Sequence, residues 1–306
     1  MQGIRLIAQY AKGIDDWGDF IKYVIAIGGN AITSAHALSG LSVEIGRLAR
    51  KGDQILVTHG NGPQVGELLL EEGRRLALLT AQTEAEIGLE VQESIEKAGH
   101  VGKVAIVITR ALVNPRDKEF RFPTKPVGRF YSKAEADIGR RNGHVVRKLI
   151  GGYRVVVPSP DPIEILDLEH ISSLLESGHV VIAGGGGGVA VARGSNGLRY
   201  LDAVLDKDKT SALLASRLHA DQFIILTNID AAYLGYGKRN QKRIARAAVA
   251  EMEEYIEEKE FEPGSMLPKV EACISFIRSG GNYAAIGSLD EARRVIGGRS
   301  GSIITQ

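Results

Sequence analysis

The stretch KYVIAIGG, residues 22–29, decides how the rest of the chain is read. One lysine is followed by an unbroken apolar run and then two glycines, with no polar residue alternating among them. Such a run is a strand covered on both faces, as in a parallel sheet. The same form recurs as QILVTHG from Gln54, KVAIVIT from Lys103, YRVVVPS from Tyr153, HVVIAGGGGG from His179, QFIILTNID from Gln222 and YAAIGS from Tyr283. Helical periodicity fills the intervals at 41–51, 65–79, 82–98, 168–177, 208–219 and 268–279. The alternation predicts an α/β fold, a three-layer α/β/α sandwich with a mostly parallel central sheet. Residues 114–162 interrupt it with irregular, basic text, which predicts a small protruding lid subdomain, because long insertions in compact folds serve as covers. VAVARGSNGLRYLDAV, residues 189–204, predicts a hairpin turning at 195–197.

The 306 residues are 44% hydrophobic and 25% charged with a net charge of +1, enough for one large domain or two lobes. Near-neutral charge excludes nucleic acid or an anionic membrane as the main partner. No apolar run has membrane-spanning length, and the first residues lack a secretory core, so the cytoplasm is the expected compartment. The single cysteine, Cys273, falls on the apolar face of a helix, which rules out disulfides and a thiolate metal site.

In open α/β sheets ligands collect beyond the carboxyl ends of the strands. Four strands end here in residues suited to anions: Gly28-Gly29-Asn30, then Gly60-Asn61-Gly62, then a run containing Gly185 and Gly186, then Thr227 to Asp230. Glycine lets the backbone approach closely and lets successive amides point at one oxyanion. Tight strand–helix turns also need glycine for sterics alone, but several such ends together predict a shared anion site. No G-x-x-x-x-G-K-[ST] segment and no H-R-D or D-F-G string is present. GGGGGVAVARG loosely fits the dinucleotide fingerprint, yet a hairpin follows it rather than a helix. No two histidines have zinc-ligand spacing, and His59 reads as a structural hydrogen-bonder. No metal site built from protein side chains is expected.

Two lysines stand at the wrong pole of a helix. EPGSMLPKVEACISFIRSGG, residues 262–281, places Val270, Cys273, Ile274 and Ile277 on one buried face, with Pro268 in the first turn and Gly264 and Ser265 as the cap. Lys269 lies at its amino end. LDKDKTSALLASRL places Lys207 at the start of another helix, with Asp208 read as its cap. A cation there is unfavourable unless an anion neutralises it, so both lysines point to a common polyanion. Lys125, held between two prolines in FPTKPVG, is a third candidate on the lid.

AIGGNAI, THGNGPQVG, PTKPVG, VVPSPDP, GGGGG, LDKDKTSALLA, LTNIDAAYLGYG and PGSMLPKVEA resemble, in order, the signature segments of carbamate kinases, in the amino acid kinase superfamily. The resemblance runs from Lys22 to the C-terminus. It implies reversible phosphoryl transfer between ATP and carbamate, or ADP and carbamoyl phosphate, with Mg²⁺ bound through the nucleotide phosphates. It also implies a homodimer. Residues 1–21 would be an N-terminal extension, 22–178 an N-terminal substrate lobe and 179–306 a C-terminal nucleotide-binding lobe. Lys207 and Lys269 would hold the transferring phosphoryl and the nucleotide phosphates, Asp208 would orient them, and Lys125 would meet the carbamoyl end. Gly28, Gly29, Asn30, Gly60, Asn61, Gly62, Gly185 and Gly186 would cradle the small substrate. Thr227, Asp230, Tyr233, Gly264, Ser265 and Met266 would flank the nucleotide. Thr83-Glu84-Ala85 stands where relatives have S-Q-G, Asn228 where aspartate is usual and Ala190 where proline is usual, and the segment 30–41 is shortened. These departures leave open a relative that phosphorylates another small carboxylate or phosphate. A non-catalytic nucleotide binder is the third reading, although such a protein would not need all three lysines.

Overall fold

The structure is a computed structural model that describes residues 20–29, 34–72, 74–100, 103–149 and 151–306. Asn30 and residues 1–19 of the expected extension lie outside the described residues. The central sheet has eight strands: β1 (Lys22–Ile27), β2 (Gln54–His59), β3 (Val104–Val107), β4 (Val180–Ala183), β5 (Gln222–Thr227), β6 (Arg246–Ala248), β7 (Tyr283–Ser288) and β8 (Ser302–Thr305). Their spatial order is β6-β8-β7-β5-β1-β2-β4-β3. From β7 to β3 every pairing is parallel, whereas β8 runs antiparallel to β7 and parallel to β6 at the edge.

β1 shows why the runs are continuous. Val24 and Ala26 pack into one apolar cluster while Tyr23, Ile25 and Ile27 pack into another, so every position after Lys22 is buried. Helices α1 (Ala35–Arg50), α2 (Gly62–Glu72), α3 (Leu76–Lys97), α4 (Lys133–Arg141), α5 (Leu168–Glu176), α6 (Lys207–Arg217), α7 (Val249–Glu257), α8 (Met266–Arg278) and α9 (Ala292–Ile296) follow in chain order. One face of the sheet carries α1, α3 and α9 through Leu41, Ile45, Val91 and Val295. The other carries α5 to α8 through Ile171, Leu214, Met252 and Val270. The three-layer expectation therefore holds, and among the described residues no helix is long and apolar enough to cross a membrane.

Three expectations change. The run from Tyr153 is not a central strand: Gly152–Val157 pairs with Lys125–Tyr131 and Val146–Leu149 in a separate three-stranded antiparallel sheet. An apolar run reports that a strand is covered, not which strand lies beside it. The lid is also regular rather than irregular, combining that sheet with α4, which is closed by a capping box of Ser132 and Glu135. The sheet edge gains the short strands β6 and β8, which were not anticipated.

The hairpin appears as expected, Val189–Gly194 against Gly197–Tyr200, inside a four-stranded sheet with Arg110–Val113 and Pro162–Ile165. The lid sits on α2 through Val65, Leu69, Val127, Val155 and Val157. At that contact a Cβ on Gly66 would fall 1.9 Å from the Gly128 nitrogen, so only glycine allows the two backbones to meet.

Candidate active site

A cleft of about 470 Å³ opens beyond the carboxyl ends of the central strands, beneath the lid. Its floor is formed by Gly29, Gly60 and Asn61, with Gly186 alongside. Three helices begin at its wall: α2 with Gly62 and Pro63, α6 with Asp206 to Asp208, and α8 with Gly264, Ser265, Pro268 and Lys269. Lys125 reaches in from the lid. Helix amino ends carry partial positive charge, so their convergence favours an anion before any lysine is counted.

The α6 start is arranged differently from the expectation. Asp206, not Asp208, is the cap: its Oδ1 accepts from the amides of Asp208 at 2.9 Å and Lys209 at 3.3 Å. Its Oδ2 also accepts from Lys125 Nζ at 3.0 Å, which ties the lid to the body. Burial would raise the Asp206 carboxyl, but Lys125 and the Lys209 amide hold it well below the usual carboxylate range. Asp208 is turned inward instead, 2.7 Å from Lys207 Nζ and 2.8 Å from Lys269 Nζ. The anion that both helix-end lysines require is thus partly supplied by the chain itself.

Exposure of these side chains is low, 9% for Lys207, 5% for Asp208 and 17% for Lys269. Burial alone would raise Asp208, yet the two ammonium groups outweigh it and keep the carboxyl ionised. Burial lowers Lys207 by more than Asp208 restores, whereas in less buried Lys269 the pairing with Asp208 prevails and the value rises. The Lys207–Asp208 contact is close but lacks hydrogen-bond alignment, so the Lys207 ammonium keeps its donors uncommitted at the cleft. At the α8 start the Ser265 side chain makes no capping hydrogen bond, contrary to its reading as a cap.

The glycines act more by fit than by open amides. The Gly28 amide donates to Leu226 O, that of Gly60 to Ile27 O, and that of Gly185 to Glu84 Oε1. A Cβ on Gly186, whose φ is +61°, would meet the Asn61 amide at 2.1 Å, so the run of glycines lets two loops interpenetrate. Asn61 in turn donates to Thr83 Oγ1 at 2.9 Å. Glu84 is buried and does not line the cleft, so it adds no charge to the cleft wall. His59 is buried as well, with neither ring nitrogen in hydrogen-bond geometry, so it does not serve as the hydrogen-bonder it was read to be. Burial brings its imidazole down to about 4 and keeps it neutral.

Of the expected site residues, Gly29, Gly60, Asn61, Gly62, Gly186, Lys125, Lys207, Asp208, Gly264, Ser265 and Lys269 line this one cleft. Gly28 lies behind it against Thr227, at the end of β5. Asp230 accepts from the Tyr233 hydroxyl at 2.9 Å, on the segment beyond β5, and Met266 packs into the core. Sequence reasoning gave no role to Asp206 or Arg154. Arg154 lines the cleft from the lid, its guanidinium 5.4 Å from the Phe130 ring centroid and its Nε buried without a partner. In YRVVVPS it was hidden as the polar start of a strand, and only the lid's position gives it a meaning. Among the described residues no group of three His, Cys, Asp or Glu side chains is placed to hold a metal ion.

A model described as amino acid kinase family matches residues 22–288. The chain is 36% identical to the carbamate kinase of Thermoplasma volcanium, covering 93% of this chain and 99% of that protein. It is 39% identical to the carbamate kinase of Lentilactobacillus hilgardii, covering 93% and 97%. The structure of carbamate kinase from Giardia lamblia bound to AMP-PNP superposes with a TM-score of 0.83 at 32% identity, over 94% of this chain and 98% of that one.

Proposed function

We propose that this chain, which belongs to the amino acid kinase family and within it to the carbamate kinases, transfers a phosphoryl group between ATP and carbamate, and between carbamoyl phosphate and ADP in reverse. The observation that carries the reading is the pair Lys207 and Lys269, joined through Asp208 at the wall of a cleft where three helices begin. Phosphoryl transfer asks for positioning and charge neutralisation rather than a protein nucleophile. Carbamate is already a nucleophilic oxyanion, so the reaction asks for no general base in the cleft.

Lys207 and Lys269 offset the charge of the transferring group, and Asp208 keeps both protonated and aimed. Lys125, brought in by the lid, meets the carbamoyl end, while Asn61 and the start of α2 cradle the small substrate. Arg154 adds a second cation on the lid side. Gly264, Ser265 and Met266, with Thr227, Asp230 and Tyr233, flank the nucleotide, assigning it to the lobe after residue 178. Mg²⁺ enters with the nucleotide as part of that substrate, a reading that suits a cleft in which lysine and arginine side chains outnumber carboxylates. A homodimer in the cytoplasm completes the proposal. The dimer, not the compartment, draws support from Leu78 and Leu89, 56% and 61% exposed, which are 11 residues apart and so share one stripe of α3.

The test is ATP formation from ADP and carbamoyl phosphate in a coupled assay. The full chain turns over, and Lys207→Ala or Lys269→Ala loses two or more orders of magnitude in kcat, roughly 3 kcal/mol of transition-state stabilisation. No ATP formation by the wild-type chain, or near-normal turnover in either variant, overturns the reading.

A further inference from the structure

A second cavity, of about 510 Å³, opens at the edge of the central sheet and shares no lining residue with the cleft. β8 runs antiparallel to β7 and parallel to β6, so both begin at the end of the sheet where β7 finishes. The basic run KRNQKRIAR, residues 238–246, passes there, and the phosphoryl-transfer scheme gives it no task. Lys242 and Arg243 pair with Leu234 and Tyr233, and Arg246 opens β6. Arg299 arrives on the loop between α9 and β8, so four cations line one hollow. Its only carboxylate is Glu251, which already accepts the Ala248 amide at 2.8 Å to close the start of α7.

Arg243 is held in place, its Nη2 donating to Gly301 O at 3.2 Å and its Nε lying 3.5 Å from Asp230 Oδ2. Among the described residues the side chains of Lys242, Arg246 and Arg299 have no hydrogen bond or ion pair. Solvent accounts for an unpaired surface cation, but it does not account for the loop beside these three. Ser300 is 9% exposed and Gly301, at φ +87°, is buried, yet neither backbone amide has a partner among the described residues. A buried N–H without an acceptor is costly. An oxyanion in the hollow satisfies the amides and the free cations together. Leu234, Ile244, Tyr255 and Ile303 add an apolar wall.

We propose that this cavity is a second anion site and that it takes a small organic phosphate. Arginine forks and backbone amides match the oxygens of a phosphoryl group, and those are the donors left open here. The volume is that of an ordinary ligand pocket, more than inorganic phosphate fills, and the apolar wall suits a carbon skeleton attached to the phosphate. A nucleic acid fits less well, because the cations line a hollow rather than a long track and the chain carries a net charge of only +1. The site does not depend on the phosphoryl-transfer reading, since no residue is common to the two cavities.

The experiment is calorimetry on the full chain in about 0.15 M salt, with saturating AMP-PNP and Mg²⁺ in the cleft and ribose 5-phosphate as the probe. The wild type and Lys125→Ala should both bind the probe with a Kd of about 1 mM or tighter. The double variant Arg246→Ala/Arg299→Ala should lose at least about tenfold in affinity. Inorganic phosphate should depend on the same two arginines and bind more weakly than the ester. No binding by the wild type overturns the proposal. So does affinity that survives the double variant, or that is lost in Lys125→Ala, because the anion then sits in the cleft. Inorganic phosphate binding as tightly as the ester, or a short single-stranded RNA displacing it at lower concentration, overturns the assignment to an organic phosphate. Both arginines are exposed, so the double variant is expected to fold; if it does not, Lys242→Glu makes the same comparison. Failure of the wild type to make ATP overturns the reading of the cleft and leaves this measurement standing.

Discussion

Replacing Asp208 by asparagine keeps the side chain's shape and removes the charge that Lys207 and Lys269 share. The bridge is short, 2.7 Å and 2.8 Å, and its members are between 5% and 17% exposed, so solvent screening is weak. Breaking a buried ion pair from one side typically costs about 3–5 kcal/mol. Here the penalty has a ceiling. Lys207, ordinarily titrating at 10.5, can shed its proton at pH 8 for about 3.4 kcal/mol. Destabilisation should therefore be about 3 kcal/mol. With an unfolding entropy of about 2.1 cal/mol/K per residue over 306 residues, that lowers Tm by about 5 °C.

The relief that limits the loss of stability also removes catalysis, because a neutral amine cannot offset phosphoryl charge. We expect kcat at pH 8 to fall about a hundred-fold or more. Part of it should return as pH is lowered and Lys207 regains its proton. The wild-type carboxyl has the opposite linkage. Its folded value is depressed, so its contribution to stability is present above the usual carboxylate range and is lost as pH falls through the folded value. Differential scanning fluorimetry and the coupled ATP assay, run side by side on Asp208→Asn, read both quantities. A Tm within 1 °C of wild type together with kcat within threefold would refute the dependence of the two lysines on Asp208.

Two further outcomes follow from the lid and the core. Lys125→Ala removes the 3.0 Å tie to Asp206 and the cation at the carbamoyl end. KM for carbamoyl phosphate should rise at least tenfold, whereas ADP affinity by calorimetry stays within threefold, and an equal loss for both ligands would show that Lys125 serves the whole fold rather than one substrate. Cys273 is completely buried, and burial drives its thiol far above the ordinary range. It should resist iodoacetamide in the native chain and react fully in guanidinium, as mass spectrometry would show; rapid native labelling would contradict its place in the core.

The fold and the site were legible to different depths. KYVIAIGG announced a two-faced strand because both of its faces are buried, one against each cluster, and that is a local property of the side chains. YRVVVPS carries the same signal yet lies in the lid, since hydrophobic runs do not name their neighbours. Lys207 and Lys269 could be suspected from sequence because a cation at a helix start conflicts with the helix dipole wherever the helix lies. What neutralises them could not. Asp206 and Asp208 are two residues apart in one segment, and either could cap α6; the choice follows from Lys269 arriving 61 residues later to claim Asp208 and Lys125 arriving from the lid to claim Asp206.

The amino-acid order by itself determined the layered α/β architecture, the strand ends that gather a ligand and the cations able to hold a phosphoryl group. Each of these follows from the chemistry of a short segment. Tertiary structure alone decided that the glycine amides are largely committed within the protein, that Glu84 suspends the loop from α3, and that three helices open on the same cleft. Those facts depend on contacts between segments 20 to more than 100 residues apart, such as Asn61 with Thr83 and Glu84 with Gly185, and no local pattern encodes such distances.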